Sequence, residues 1–159
     1  MEHTLGIVAL IIVASIVVMS ATYAKGISHI LLVAFGIRAL AALFHFYVAP
    51  LPDSQADARM FEQIAWEWAQ QPFGLYFVDD FSYFISWLIS LLYRITDRSP
   101  LMAQSLSVLF GTLTVLVGWL LAKELWGPKI AKRVAWVATF FPTLVLYSAL
   151  TMREAYIWF

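Results

Sequence analysis

The residues best suited to acid–base chemistry crowd into one interval of the chain. Six of its ten Asp and Glu residues lie between positions 53 and 80: Asp53, Asp57, Glu62, Glu67, Asp79 and Asp80. Arg59 is the only basic residue there. Asp57, Phe61, Ile64 and Trp68 recur at steps of four, three and four, which puts them on one helix face. Arg59, Glu62, Gln63, Trp66 and Gln70 fall on the opposite face. A carboxylate on an apolar stripe near lipid needs a partner or a function. Spacing alone favours a structural role for Asp57, because Ser54-Gln-Ala-Asp57 fits the S-x-x-D capping box. The two roles are compatible, since a cap can hold a carboxylate in place. Asp53 follows Pro52 and reads as an N-cap or turn residue.

Other charged residues stand at odd places. Glu154 follows Arg153 at the end of an apolar run, and the simplest reading is an interfacial charge pair. Arg38 interrupts an apolar run near its middle, a position that costs about 2.5–3.5 kcal/mol on insertion scales. It could meet a carboxylate or a lipid phosphate, or snorkel along its own helix. Arg94 and Arg98 flank another apolar run. They read as solvated interface residues or as a phosphate site, for which the guanidinium fork is suited. His3, His29 and His45 have no metal-ligand spacing. The aromatics Phe44, Tyr47, Trp66 and Trp68 read as an interface belt before they read as sugar platforms. No Gly-rich phosphate loop, nucleophile elbow or internal repeat is present.

The elements that must position these residues are apolar. The chain is 62% hydrophobic and only 13% charged, against about a quarter charged in a soluble domain. Its mean hydropathy is +0.81. The class is therefore an all-α integral membrane protein. The absence of cysteine excludes disulfides and thiolate metal sites, and a net charge of zero gives no signal for nucleic acid. Glu2 and His3 replace the positive start of a signal peptide. About four transmembrane helices are expected, at residues 5–21, 27–49, 100–123 and 129–150. Between the second and third lies an outer loop, 50–99, with amphipathic interfacial helices at 54–70 and 81–95. Pro50 and Pro52 end the second span. Lys123 in the last turn, Gly127 and Pro128 end the third.

Charge placement sets the expected topology. Lys123, Lys129, Lys132 and Arg133 are the densest basic cluster, so their turn is cytoplasmic. Residues 81–93 are apolar for too short a stretch to span. If they lie in the interface, the acidic loop is outside and Lys25 is cytoplasmic, which satisfies both length and charge. Arg153 and Glu154 then return to the outer face. Residues 151–159 read as the start of a further segment, and the apolar stop at Phe159 reads as part of a longer protein.

This order of features resembles the GT-C glycosyltransferases. These include the dolichyl-phosphate-mannose–protein mannosyltransferases and the bacterial lipid A aminoarabinose transferases. Asp57, Phe61 and Ala65 match the first-loop pattern D-x-x-x-aromatic-x-x-x-A, and Phe141-Pro142 through Ser148 with Arg153-Glu154 match a later segment. The resemblance covers nearly all of this chain but about the first third of a typical member. Ala58 stands where the family's Asp-Glu pair has its second acid, and Phe61 where it has Tyr.

The resemblance implies a membrane transferase that takes a sugar from a polyprenyl-phosphate donor, with inversion. The acceptor would be an envelope glycan, lipid or protein at the outer face of a bacterial inner membrane. Asp57 would accept or orient the acceptor's proton, and burial beside Phe61 and Trp68 would raise its pKa. Glu154, Asp53, Asp79 or Asp80 would supply the second carboxylate. Arg94, Arg98, Arg153 or Arg38 would face the leaving phosphate. The chemistry admits a divalent cation, but no ligand spacing indicates one. The rival readings are a non-enzymatic four-span protein that binds lipid or partner helices, and part of a polysaccharide polymerase or transporter. Oligomeric state is not legible.

Overall fold

A computed structural model describes residues 2–54, 57–78 and 80–159, and among these every regular element is helical. Helix α1 (Glu2–Tyr23) buries Gly6, Leu10, Val13, Val17 and Ala21, a stripe of three- and four-residue steps. The rest of its surface is apolar too, with Ile11 and Ile12 exposed. A helix apolar all round is built for lipid or a large core. The chain turns at residues 24–27 into α2 (Ser28–Tyr47), which stops ahead of Pro50. Helix α5 (Pro100–Trp126) starts on a Ser99 cap and ends where Gly127 takes φ +80°, a conformation that glycine adopts at no steric cost. These three helices are each long and apolar enough to cross a membrane.

Close contacts fix their directions. A Cβ on Gly6 would lie 2.6 Å from the Leu101 Cβ, and one on Gly26 would lie 3.2 Å from Trp119. Helices α1 and α5 therefore run parallel. His3 stacks on Tyr47 at 5.8 Å, so α2 runs back against α1. One end of the bundle gathers Glu2, Tyr47 and Ser99, whose hydroxyl donates to the Glu2 carbonyl at 2.9 Å. The opposite end carries Lys25, Lys123 and Gly127 beside Trp119.

Helices α3 (Asp57–Gln70) and α4 (Phe84–Ile95) form a hairpin at the first end, joined by a loop and a short 3₁₀ turn (Phe81–Tyr83). Ile85, Ile89 and Tyr93 of α4 pack on Phe61 and Ala65 of α3 and on Met102 and Ala103 in the first turn of α5. The Ser86 hydroxyl donates to the Phe61 carbonyl at 2.8 Å. At 1.5 Å per residue, α4 reaches about 18 Å, well short of a hydrocarbon core of about 30 Å.

Two expectations are corrected. The run 129–150 is not one straight helix: α6 (Pro128–Phe140) and α7 (Pro142–Ser148) meet at a 58° bend. Pro142 has no N–H, and Phe141 before it is pushed to an extended conformation (φ −63°, ψ 116°). The pair counts as a fourth span only if taken together. Arg38 is the second correction. Its side chain is wholly buried and meets neither a carboxylate nor the surface. It donates through Nη2 to the Ala138 carbonyl at 3.1 Å, and through Nη1 to Thr139 at 3.4 Å and Ala34 at 3.1 Å. Ala138 is the carbonyl that Pro142 cannot serve. The guanidinium thus fills the gap that the proline opens in the helix ladder.

Helix α7 then packs on α5 at Gly111, where an added Cβ would lie 2.1 Å from the Ser148 Cβ. Gly111→Ala is expected to cost about 1–3 kcal/mol through overpacking. Gly118→Ala, with nothing within 4 Å, should be neutral or slightly stabilising, as Ala is the better helix former. Thermal unfolding in detergent distinguishes them; equal shifts for the two variants would contradict the packing.

Candidate functional site

The polar centre of the hairpin end is Glu62. It was expected on the outer face of α3, yet it is only 7% exposed. The buried stripe is Ala58, Phe61, Glu62 and Ala65, while Asp57 is exposed and Ile64 and Trp68 are half-buried. Glu62 Oε1 accepts from Arg98 Nε at 3.0 Å and from the Tyr93 hydroxyl at 2.8 Å. Its Oε2 accepts from Arg98 Nη2 at 2.6 Å. This is a two-pronged guanidinium–carboxylate pair, and Arg98 also lies 5.8 Å over the Trp66 ring. The hydrogen bond to Glu62 raises the Arg98 pKa, and burial, followed by the Glu62 charge, raises that of Tyr93. Three elements are tied here: α3, α4 and the segment leading into α5.

Beside this pair lies a cleft of about 550 Å³ between the end of α2, the start of α3 and the first turns of α5. His45, Ser54, Arg59, Glu62, Arg98 and Gln104 contribute its polar wall. The His45 Nδ1 accepts from the Leu51 N–H at 3.1 Å. Ser54 Oγ and Gln104 Oε1 are buried with no hydrogen-bond partner among the described residues. Buried polar atoms of that kind are rare in finished interiors and mark places where a ligand or water completes the set.

The expected site residues divide into groups. Asp57 opens α3 and does not line the cleft; the half-burial expected beside Phe61 and Trp68 is not found. The S-x-x-D box runs through residues 55 and 56, which lie outside the described residues. Asp53 sits in the turn at φ +61°, a conformation Asp tolerates better than most residues, and accepts from the Tyr147 hydroxyl at 3.4 Å. Asp79 lies outside the described residues. Asp80 caps the 3₁₀ turn by accepting from the Ser82 N–H at 2.9 Å. That bond holds its carboxyl below the usual range, with a smaller contribution from the Arg153 charge. Glu154 pairs with Arg153 at 3.6 Å and leaves a buried Oε2 without a partner. Asp80 feels Arg153 only at longer range, and none of Asp80, Arg153 and Glu154 lines the cleft.

The expected arginines fare differently. Arg94 is spent on main-chain carbonyls, donating to Trp68 and, at 3.2 Å, to Pro72. Arg38 lies in the core, far from any such role. Arg98 stays at the cleft, but with Glu62 as its partner. Glu62, Tyr93, Ser54 and Gln104 were not singled out from the sequence. Ala58-x-x-Phe61-Glu62-x-x-Ala65 does carry the signal: its i, i+3, i+4, i+7 pattern of small and apolar residues includes one acid. No three His, Cys, Asp or Glu side chains converge as a metal site among the described residues.

Comparison with known proteins finds no matching family model, no matching curated relative and no matching solved structure.

The Glu62–Arg98 pair makes a measurable claim. Arg98→Met leaves a buried carboxylate unpaired and is expected to cost about 3 kcal/mol, the low end for a broken buried pair because Arg98 is half-exposed. Replacing both partners in E62L/R98M should cost less than R98M alone. A double variant whose loss equals the sum of the singles in chemical unfolding would show the two side chains to be uncoupled.

Proposed function

We propose that this chain belongs to a multi-pass membrane glycosyltransferase. It would move a sugar from a polyprenyl-phosphate donor to a glycan, lipid or protein acceptor at the outer face of a bacterial inner membrane. The observation that carries this reading is the separation of groups along the apolar bundle. The cleft, the hairpin and Asp53, Asp80, Arg153 and Glu154 stand at one end; Lys25 and the Lys123–Arg133 turn stand at the other. The positive-inside rule then puts the cleft outside.

In this reading Asp57, exposed at the head of α3, reaches the acceptor hydroxyl and takes its proton as the oxygen attacks the anomeric carbon. The bond from that carbon to the lipid phosphate breaks on the opposite side. Arg98, held at the cleft wall by Glu62, faces the departing phosphate, and Arg153, exposed at the same end of the bundle, adds a second positive charge. Glu154 supplies a second carboxylate beside Arg153. Arg38 and Arg94 take no part in this reading, since their terminal guanidinium nitrogens donate to main-chain carbonyls.

One observation favours the rival, a lipid- or helix-binding protein without catalysis: Asp57 does not line the cleft. A single assay separates the two. In membranes carrying the full-length protein and a polyprenyl-phosphate sugar, Asp57→Asn should lower transfer at least about a hundredfold. Glu67→Gln, exposed on the same helix, should leave it unchanged. Undiminished transfer by Asp57→Asn would remove Asp57 from the mechanism, and no transfer by the wild type would favour the rival.

A further inference from the structure

The opposite end of the bundle holds a second cleft that plays no part in sugar transfer. It measures about 750 Å³ and lies between the α1–α2 turn, the last turns of α5 and the start of α6. Lys25, Lys123 and Lys132 stand on its wall, one from each of these three elements. No carboxylate lines it among the described residues. The uncapped N-terminus of α6, at Pro128, also borders it and adds the positive end of a helix dipole. The remaining wall is apolar and is led by Leu116, Leu120 and Trp119.

Trp119 supplies the second observation. Its side chain is buried, and its Nε1–H has no acceptor among the described residues. The Lys123 Nζ sits 5.2 Å over its ring. The indole edge next to that N–H is the edge that meets Gly26, where a Cβ would come within 3.2 Å of Cζ2. Glycine at 26 lets the α1–α2 turn pack against that edge, which fixes the ring and the ammonium group above it.

We propose that this cleft binds the phosphate of an anionic phospholipid. The three lysines address the phosphate oxygens, and the acyl chains descend along Leu116 and the half-exposed Leu120. A soluble anion would gain nothing from that apolar wall, whereas a lipid buries its tails against it. Basic pockets between membrane helices commonly take acidic headgroups. The proposal rests on the chain being membrane-embedded and not on its catalysing anything.

The test uses the full chain in detergent, titrated with dioleoylphosphatidylglycerol or dioleoylphosphatidylcholine and read by native mass spectrometry. Wild type should bind the anionic lipid at least about tenfold more tightly. K123Q/K132Q should abolish that preference. K129Q/R133Q removes the same charge outside the cleft wall and should keep it. Lys25→Gln, on the third side of the cleft, should weaken binding without changing the circular dichroism. Equal loss in the two double variants would mean diffuse attraction to basic residues and would overturn the site. Displacement of the lipid by millimolar inorganic phosphate would overturn its assignment to lipid. Failure to take up either lipid would count against the membrane reading itself, and hence against this proposal.

Discussion

A helix of twelve residues reaches about 18 Å, and the oily layer it would have to cross is about 30 Å thick. Helix α4 is too short to cross a layer of that thickness, and α3 and α4 fold as a hairpin at the end of the bundle where α2 stops and α5 starts. The hairpin's core, Phe61 and Ala65 against Ile85, Ile89 and Tyr93, continues onto Met102 and Ala103 of α5. Glu62 fastens it by accepting from Arg98 on the way into α5 and from Tyr93 on α4. Burial makes this tie sensitive to the loss of either partner, while its hydrogen bonds satisfy the charge that burial would otherwise strand. Glu62 and Arg98 of this tie form one side of the cleft, and the end of α2 forms another.

Arginine does two different structural jobs at two depths. Arg98 works at the surface end, where part of its side chain meets solvent. Arg38 works in the middle of the bundle, where its guanidinium donates to carbonyls released by the Pro142 break. A proline in mid-span is tolerated only if something else satisfies the freed carbonyls. The long side chain of Arg38, 100 residues earlier in sequence than Ala138, does so. The bend in turn tips α7 against Gly111 and carries the following residues back along α5, where Tyr156 packs on Phe110 and joins the edge of the hairpin's core.

Much of this was legible in the sequence. Long apolar runs fixed α1, α2 and α5, because hydropathy and length are properties of the segment alone. Gly127 and Pro128 marked the turn between α5 and α6 for the same local reason. The phase of α3 was misread by one position. Its two candidate stripes share Phe61, and the choice between them depends on Arg98, which lies 36 residues away. The break at Phe141–Pro142 was visible as a proline but not as a bend, because a proline can also sit in a continuous kinked span. Arg38 looked like a ligand-facing residue because an isolated charge in a span advertises function. Its real partners are three main-chain carbonyls, which no side-chain pattern reveals.

The central claim is that hairpin and basic turn lie on opposite sides of one membrane. The chain has no cysteine, so single cysteines can be placed at will. Gln71, exposed after α3, and Lys129, exposed in the basic turn, are the informative positions. With a membrane-impermeant thiol reagent on intact cells, Gln71→Cys should label at once and Lys129→Cys only after permeabilisation. Labelling of both from the same side, or of Lys129→Cys alone, would contradict the account.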